Sequence, residues 1–216
     1  MTDLTLRGGA GARVDAEIEV KRSRFLCRLV RVESEDAARA VVEEARREHF
    51  SARHHCSAFV LGASGSPGQV RRSNDDGEPS GTAGRPMLDA LTGRDFMDCV
   101  AVVTRYFGGT LLGAGGLVRA YSDAVIAAVD AAHASRAVVS RQRRDLFTLE
   151  LPHAEAGRVE AELRQHGALV LGTEYGAHAR LSVTGGDELH DLVAAVTAGT
   201  STLVPSGEEW IDVAVG

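Results

Sequence analysis

The sequence predicts an α+β protein made of two small domains, residues 1–139 and 140–216. Both strand patterns and helix patterns occur in the residues before about position 135. The residues after that position follow a compact order of strand, helix, strand, strand, helix and strand. The charge balance changes at the same place, because residues 1–140 carry 18 basic and 18 acidic side chains whereas residues 141–216 carry 6 and 12. The whole net charge of −6 therefore falls on the second domain.

The first domain opens with two strands and a helix. Residues 12–32 read ARVDAEIEVKRSRFLCRLVRV, which alternates well enough for two strands joined by a turn at Lys21–Arg24. Residues 34–50, SEDAARAVVEEARREHF, predict a helix with Ser34 as its N-cap.

A strand, a long loop and a short helix come next. The segment CSAFVLG at 56–62 predicts a strand, and residues 63–86 form a loop rich in Gly, Ser, Pro and Asp with room for one short strand. RPMLDAL predicts a short helix, and DCVAVVTRYF at 98–107 predicts a buried strand. A glycine loop then leads into a helix over Ala114–Ala134.

The second domain follows a regular order of elements. The segments RDLFTLELP, AEAGRVEAELRQHG, ALVLGTEY, ARLSVTG, DELHDLVAAVTAG and EEWIDVAV predict strand, helix, strand, strand, helix and strand. This βαββαβ order within about 75 residues is typical of a ferredoxin-like domain.

Composition indicates a cytosolic protein. No segment approaches the roughly 18 to 20 apolar residues that a membrane span needs, and the amino terminus MTDLTLRGGAGARVD has no apolar signal core. The three cysteines, Cys27, Cys56 and Cys99, are odd in number and far apart, which suits thiols in a reducing compartment. We therefore expect a cytoplasmic location without disulfides and without membrane contact.

The glycine loop does not match a nucleotide-binding motif. A Walker loop starting at Gly108 would need Lys and Ser or Thr after Gly113, where Ala114 and Gly115 stand. A dinucleotide fingerprint starting at Gly113 fails at Val118, which occupies the place of the third glycine. Two roles remain open for these glycines: they allow the helix to start tight against the sheet, or they present backbone N–H groups to an anion.

The segment NDDGEPSGTAGRPM places three carboxylates close together, Asp75, Asp76 and Glu78. Such a group suits a hard cation, but the spacing differs from that of an EF-hand loop, and an Asp-Asp-Gly turn needs no metal.

In ARHHCSAF, His54 and Cys56 share one face of the predicted strand while His55 points to the other, so the three side chains cannot hold one ion together. A Cys–His nucleophile pair remains open beside simple core packing. Because no catalytic constellation is complete, we expect no metal and no cofactor, and a binding role is favoured over an enzymatic one.

Three motifs stand in order, about 20 residues apart: ARHHCSAFVLG, NDDGEPSGTAGRPML and VVTRYFGGTLLGAGGLVRAYSDAV. Together they resemble the defining motifs of the IMPACT/YigZ family, also called UPF0029, in its bacterial two-domain type. The resemblance implies a first domain folded like the second domain of the ribosomal S-five protein. It also implies that the second domain resembles a ferredoxin-like domain of elongation factor G.

The family signature marks candidate ligand-binding or nucleic-acid-binding positions, which are His55, Asp75, Asp76, Glu78, Arg85, Arg105, Tyr106, Gly108, Gly109, Gly113, Gly115, Gly116, Arg119 and Tyr121. The resemblance implies a regulator of translation or stress that binds RNA, the ribosome or a protein partner through the glycine-rich face of the first domain. In this hypothesis three arginines contact phosphate groups, Arg85, Arg105 and Arg119. Three aromatic rings are candidates to stack on a base, Tyr106, Phe107 and Tyr121.

The alternative is a hydrolase or transferase site formed by His55, Asp75, Asp76 and Glu78, with or without the assistance of a metal ion. For the RNA hypothesis, the acidic second domain should repel a polyanion, so contact is expected on the first domain alone.

Overall fold

The structure of the protein is a computed structural model that describes residues 3–215. These residues form five helices and ten strands, so the predicted α+β class is confirmed. They divide into two compact units: one runs up to Arg141 and includes the residues from Asp212 onward, and the other is Gln142–Ile211. Each unit has a hydrophobic core of its own. The unit Gln142–Ile211 contains 5 arginines and 11 acidic residues, and therefore carries the whole net charge.

The first unit contains six strands that lie wholly within it: β1 Leu4–Leu6, β2 Arg13–Val20, β3 Ser23–Arg31, β4 His54–Leu61, β5 Val70–Asn74 and β6 Cys99–Tyr106. Five of them form an antiparallel sheet in the order β2-β3-β6-β4-β5. The short strand that the long loop allowed is β5. Strand β1 was not predicted from the sequence, because three residues are too few to show an alternating pattern.

Helices cover both faces of this sheet. Helix α1, Glu35–Glu48, packs on Val100 and Val102 of β6, and its N-cap is Ser34, as predicted. Helix α2, Gly84–Thr92, packs against β4, and helix α3, Ala114–Ala134, packs against β2 and β3. Both helices share one core cluster with the residues of β6 that alternate with those two valines. Since successive side chains of a strand point to opposite faces, α1 lies on one face and α2 and α3 lie on the other.

The second unit follows the predicted order of elements: β7 Val138–Leu151, α4 His153–Gln165, β8 Leu169–Tyr175, β9 Ala179–Thr184, α5 Leu189–Val196 and β10 Leu203–Ala214. In its sheet β7 lies between β9 and β10, and β8 is on the far side of β9. The first residues of β7, Val138–Ser140, pair with β1 inside the first unit. Within residues 3–215 no helix has the length and apolar character needed to cross a membrane.

The glycine loop between β6 and α3 uses its glycines in different ways. A Cβ on Gly108 would lie 2.0 Å from the carbonyl carbon of Arg22, so only glycine fits where this loop meets the β2–β3 turn. Gly109 and Gly113 have φ angles of +83° and +73°, which favour glycine. Of the two roles left open for the loop glycines, tight packing of the helix start does not apply to Gly115, because a Cβ there would meet nothing within 4 Å.

We predict opposite effects for two glycine substitutions in this loop. Gly108→Ala should lower the free energy of unfolding by at least about 2 kcal/mol, because the new methyl group collides with backbone. Gly115→Ala is the matched control, and it should leave stability unchanged or raise it by up to about 1 kcal/mol, because alanine is the better helix former. Chemical denaturation of both variants measures this, and equal effects would contradict the packing described for Gly108.

Candidate functional site

The turn that follows β5 is held in place by the carboxylate of Asp75. This carboxylate accepts hydrogen bonds from the backbone N–H groups of Gly81, Ala83 and Gly84, at 2.8, 3.0 and 2.8 Å. Burial of the carboxylate raises its pKa, but the three hydrogen bonds outweigh burial and hold the pKa of Asp75 below its ordinary value of 3.8. Asp75 therefore fixes the path of the chain from the turn into α2.

Asp76 ties the same turn to β4 and to α1. Its side chain forms an ion pair with Arg46 of α1 and accepts a hydrogen bond of 2.6 Å from the backbone N–H of His55. Its carbonyl oxygen accepts a bond of 2.8 Å from Nδ1 of His54. Asp76 has a φ angle of +42°, a conformation that aspartate adopts more readily than most residues, and Asn74 accepts a bond from its N–H.

Glu78 lies in a buried cluster between the two glycine-containing loops. Its Oε1 accepts hydrogen bonds from Nη1 of Arg105 at 2.6 Å and from the hydroxyl of Tyr121 at 2.7 Å. The Arg105 guanidinium also lies over the rings of Phe25 and Phe107, with its carbon 5.5 and 5.7 Å from their centroids. The ion pair thus joins the turn after β5 to the end of β6, and the hydrogen bond from Tyr121 attaches the second turn of α3 to the same carboxylate.

Cys56 and His55 are packing residues in this arrangement. The Cys56 thiol donates to the carbonyl oxygen of Asp75 at 3.0 Å, and burial raises its pKa to about 12. The thiol is therefore protonated near neutral pH and is a poor nucleophile. His55 is also buried, and burial, followed by the charge of Arg46, lowers its pKa. Within the described residues no group of three His, Cys, Asp or Glu side chains is arranged to hold a metal ion.

A surface depression of about 620 Å³ lies above the Glu78 cluster. Its lining residues include Glu78 and Arg105, residues 51–54, and Tyr106, Phe107 and Leu111. We call it the Glu78 groove. Phe107 and Leu111 are 55% and 83% exposed, so the groove presents apolar side chains to solvent.

The β2–β3 turn places basic side chains beside the glycine loop. Lys21 and Arg22 have φ angles of +47° and +67°, and Nη2 of Arg22 donates to the hydroxyl of Thr110 at 3.1 Å. The N–H of Gly108 donates to the Ser23 hydroxyl at 3.1 Å. The turn and the glycine loop are thereby fixed to each other.

The structure brings together six of the sequence-predicted site residues, which are His55, Asp75, Asp76, Glu78, Arg105 and Tyr121. Their roles differ from those expected. Tyr121 is completely buried, so its ring is not available to stack on a base. Arg105 is 7% exposed and is paired with Glu78, so it is not a free phosphate ligand.

The other candidate residues lie at the surface or support the groove. Arg85 is exposed and pairs with Asp89 one helical turn away, and Arg119 is exposed with no hydrogen-bond or ion-pair partner in residues 3–215. The Tyr106 hydroxyl is hydrogen-bonded to Nδ1 of His49 at 3.0 Å, and Tyr106 lines the groove.

Sequence reasoning missed four groove residues, Ser51, Ala52, Arg53 and Leu111. Leu111 had a signal, because a large apolar residue inside a glycine loop has no evident core position. Arg53 had none, since an arginine just before a strand is ordinary. Arg53 is exposed and has no hydrogen-bond or ion-pair partner among the described residues.

Comparisons with known proteins agree with the motifs. The family model described as "Impact N-terminal domain" matches residues 21–129, and the model described as "Domain of unknown function (DUF1949)" matches residues 149–184. "IMPACT family member YvyE" of Bacillus subtilis (strain 168) is 42% identical over 159 residues, which are 74% of this chain and 70% of that protein. "IMPACT family member YigZ" of Escherichia coli (strain K12) is 41% identical over 76% of this chain and 78% of that protein. A crystal structure of a hypothetical protein, 35% identical, covers 96% of this chain and 98% of its own, with a TM-score of 0.56.

We predict that Asp75→Asn destabilises the first unit by about 1–3 kcal/mol, because an amide nitrogen replaces one oxygen that accepts a backbone N–H. The effect should depend on pH. The pKa of Asp75 is lowered in the folded state, so its contribution is present above about pH 4 and is lost as the pH falls through the folded value. Denaturation between pH 2 and 7 should show the variant losing less stability with acid than the wild type. Parallel curves would contradict the role given to Asp75.

Proposed function

Because the chain belongs to the IMPACT family, we propose that it is a regulator connected with translation or stress, and that its first unit binds single-stranded RNA, free or within the ribosome. The Glu78 groove on the glycine-rich face of that unit is the binding site. A protein partner of translation control is the other occupant that this face could take.

The observation that carries the proposal is the groove itself. Its floor is rigid, because Glu78 and Arg105 are locked together, while Phe107 and Leu111 stand exposed at its side. An exposed aromatic ring next to a cationic rim is the usual platform for an unpaired base, since every base has a face that stacks.

Basic side chains support a polyanionic ligand, because Arg53 lines the groove and Lys21 and Arg22 lie in the turn beside the glycine loop. Lys21, Arg22 and Arg53 are exposed, and none of them pairs with a carboxylate in residues 3–215. The second unit carries the net charge of −6 and should repel RNA, so contact is confined to the first unit.

Two fold assignments belong to the same proposal. We propose that the first unit is folded like the second domain of the ribosomal S-five protein and that the second unit is ferredoxin-like. The strand order β8-β9-β7-β10 in the second unit supports the latter.

The alternative hydrolase or transferase site has less support. Each of its carboxylates already has a structural partner: Asp75 binds three backbone N–H groups, Asp76 binds Arg46, and Glu78 binds Arg105. Releasing any of them for chemistry would open the turn after β5.

We predict that Arg53→Ala weakens RNA binding through charge alone. Fluorescence anisotropy with a labelled eight-nucleotide RNA across a salt series should show the slope of log K against log [salt] falling by about 0.7, the value for one phosphate contact on a single strand. Arg7→Ala is the matched control, because Arg7 is also exposed, has no side-chain partner among the described residues and lies outside the groove.

If the slope of log K against log [salt] is the same for the two variants, the groove is not part of the RNA interface. If the wild type binds no RNA at low salt and does not co-sediment with ribosomes, RNA binding is wrong, and the face becomes a candidate for a protein partner.

A further inference from the structure

The two-residue turn between β2 and β3 holds basic residues in a backbone conformation that disfavours them. Val20 and Ser23 are partners across the hairpin, and Lys21 and Arg22 between them have φ angles of +47° and +67°. A turn with positive φ at both central positions is of type I′, which favours Asn and Gly. Because the local backbone does not explain Lys and Arg here, the two side chains point to a role outside the turn.

The fold leaves the charges of both side chains available. Lys21 and Arg22 are exposed, and neither forms an ion pair with a carboxylate in the part of the chain that the structure describes. Nη2 of Arg22 donates to the Thr110 hydroxyl, which places the guanidinium beside the glycine loop. A guanidinium has five N–H donors, so most of them remain for a ligand.

The acidic side chains of the same hairpin do not outnumber the basic ones. Residues 17–24 contain two glutamates and three basic residues. One of the glutamates, Glu17, is occupied, because Arg24 donates two hydrogen bonds to its carboxylate at 2.5 and 3.0 Å. The end of the hairpin therefore keeps an excess of positive charge.

The glycine loop connects this turn with the Glu78 groove. Phe107 and Leu111 of the loop line the groove. Their neighbours in sequence, Gly108 and Thr110, contact the turn: the N–H of Gly108 donates to the Ser23 hydroxyl, and Thr110 accepts the bond from Arg22. The groove and the basic turn are therefore adjacent surfaces of the first unit.

The middle of the loop is open to a ligand that crosses it. Gly109 is exposed, and a Cβ there would meet nothing within 4 Å. The backbone N–H groups of residues 109–113 donate to no acceptor within residues 3–215. Backbone N–H groups are among the donors that proteins use for phosphate oxygens, so the loop suits the passage of a phosphate backbone.

We infer that the Lys21–Arg22 turn is a second phosphate site, and that one RNA strand runs from the Glu78 groove across the glycine loop to this turn. Arg53 contacts phosphate at the groove, and Lys21 and Arg22 contact phosphate at the other end. The bond to Thr110 orients Arg22 before the ligand arrives, which lowers the cost of binding. This inference rests on the proposed function, since it extends the same RNA interface.

The first test replaces both turn residues by the pair that the backbone prefers, Lys21→Asn with Arg22→Gly. We expect this double variant to bind an eight-nucleotide RNA at least about tenfold more weakly at about 0.1 M salt. The slope of log K against log [salt], measured by fluorescence anisotropy, should fall by about 1.4, the value for two phosphate contacts on a single strand. The midpoint of thermal unfolding should stay the same or rise, because the new pair suits a type I′ turn.

The matched control is Arg71→Gln with Arg72→Gln. These two arginines are also consecutive and exposed, they lie on β5, and neither lines the groove. The control removes the same number of positive charges from the first unit. It should keep the wild-type slope, because direct contacts determine the slope.

A second variant, Lys21→Ala, keeps the bond between Arg22 and Thr110. It should lower the slope by about 0.7, the value for one contact, and it tests the inference even if the double variant does not fold.

The outcomes separate the turn from the groove. If the double variant and Lys21→Ala both bind RNA with the wild-type slope, the turn is not a phosphate site, while RNA binding at the groove stands. The same conclusion follows if the control at Arg71 and Arg72 lowers the slope as much as the double variant does. If the wild type binds no RNA at low salt, the proposed function itself is wrong.

Discussion

The buried ion pair between Arg105 and Glu78 is the interaction on which the first unit's candidate site depends. Glu78 is the last acidic residue of the turn after β5, and Arg105 is near the end of β6. Removing either partner would leave an unpaired charge in the interior, which commonly costs 3–5 kcal/mol. The Tyr121 hydroxyl adds a third attachment, from α3. The floor of the groove is therefore held in place by side chains from three separate elements of the chain.

The turn that carries Glu78 is equally constrained at its start. The carboxylates of Asp75 and Asp76 accept hydrogen bonds from backbone N–H groups, and Asp76 also forms an ion pair with Arg46. Both carboxylates therefore stabilise the loop and are not free for a substrate. The same sequence, NDDG followed by E, suggested a metal site when only its composition was considered. The choice between these roles depends on where the oxygens point, and that is set by neighbours distant in sequence.

The dependence of side-chain roles on distant neighbours explains how much of the structure the sequence could predict. The helices over Glu35–Glu48 and Ala114–Ala134 and the βαββαβ order have strong periodicity, and each was expected. The burial of Tyr121 and Arg105 was not, because an aromatic and an arginine look the same in a motif whether they face solvent or a carboxylate. The space requirement of Gly108 was equally invisible, since it arises from contact with Arg22, 86 positions earlier in the chain.

The close approach of Gly108 to Arg22 helps to explain why two basic residues occupy the β2–β3 turn. A two-residue turn with both φ angles positive favours Asn and Gly, and each other residue there costs about 1 kcal/mol. Lys21 and Arg22 adopt these angles nevertheless. The hydrogen bond from Arg22 to Thr110 and the close approach of Gly108 offset part of this cost by fixing the turn against the glycine loop. Asn-Gly would fold as well but would remove two positive charges from the loop, so the strained turn is consistent with a surface that binds an anion.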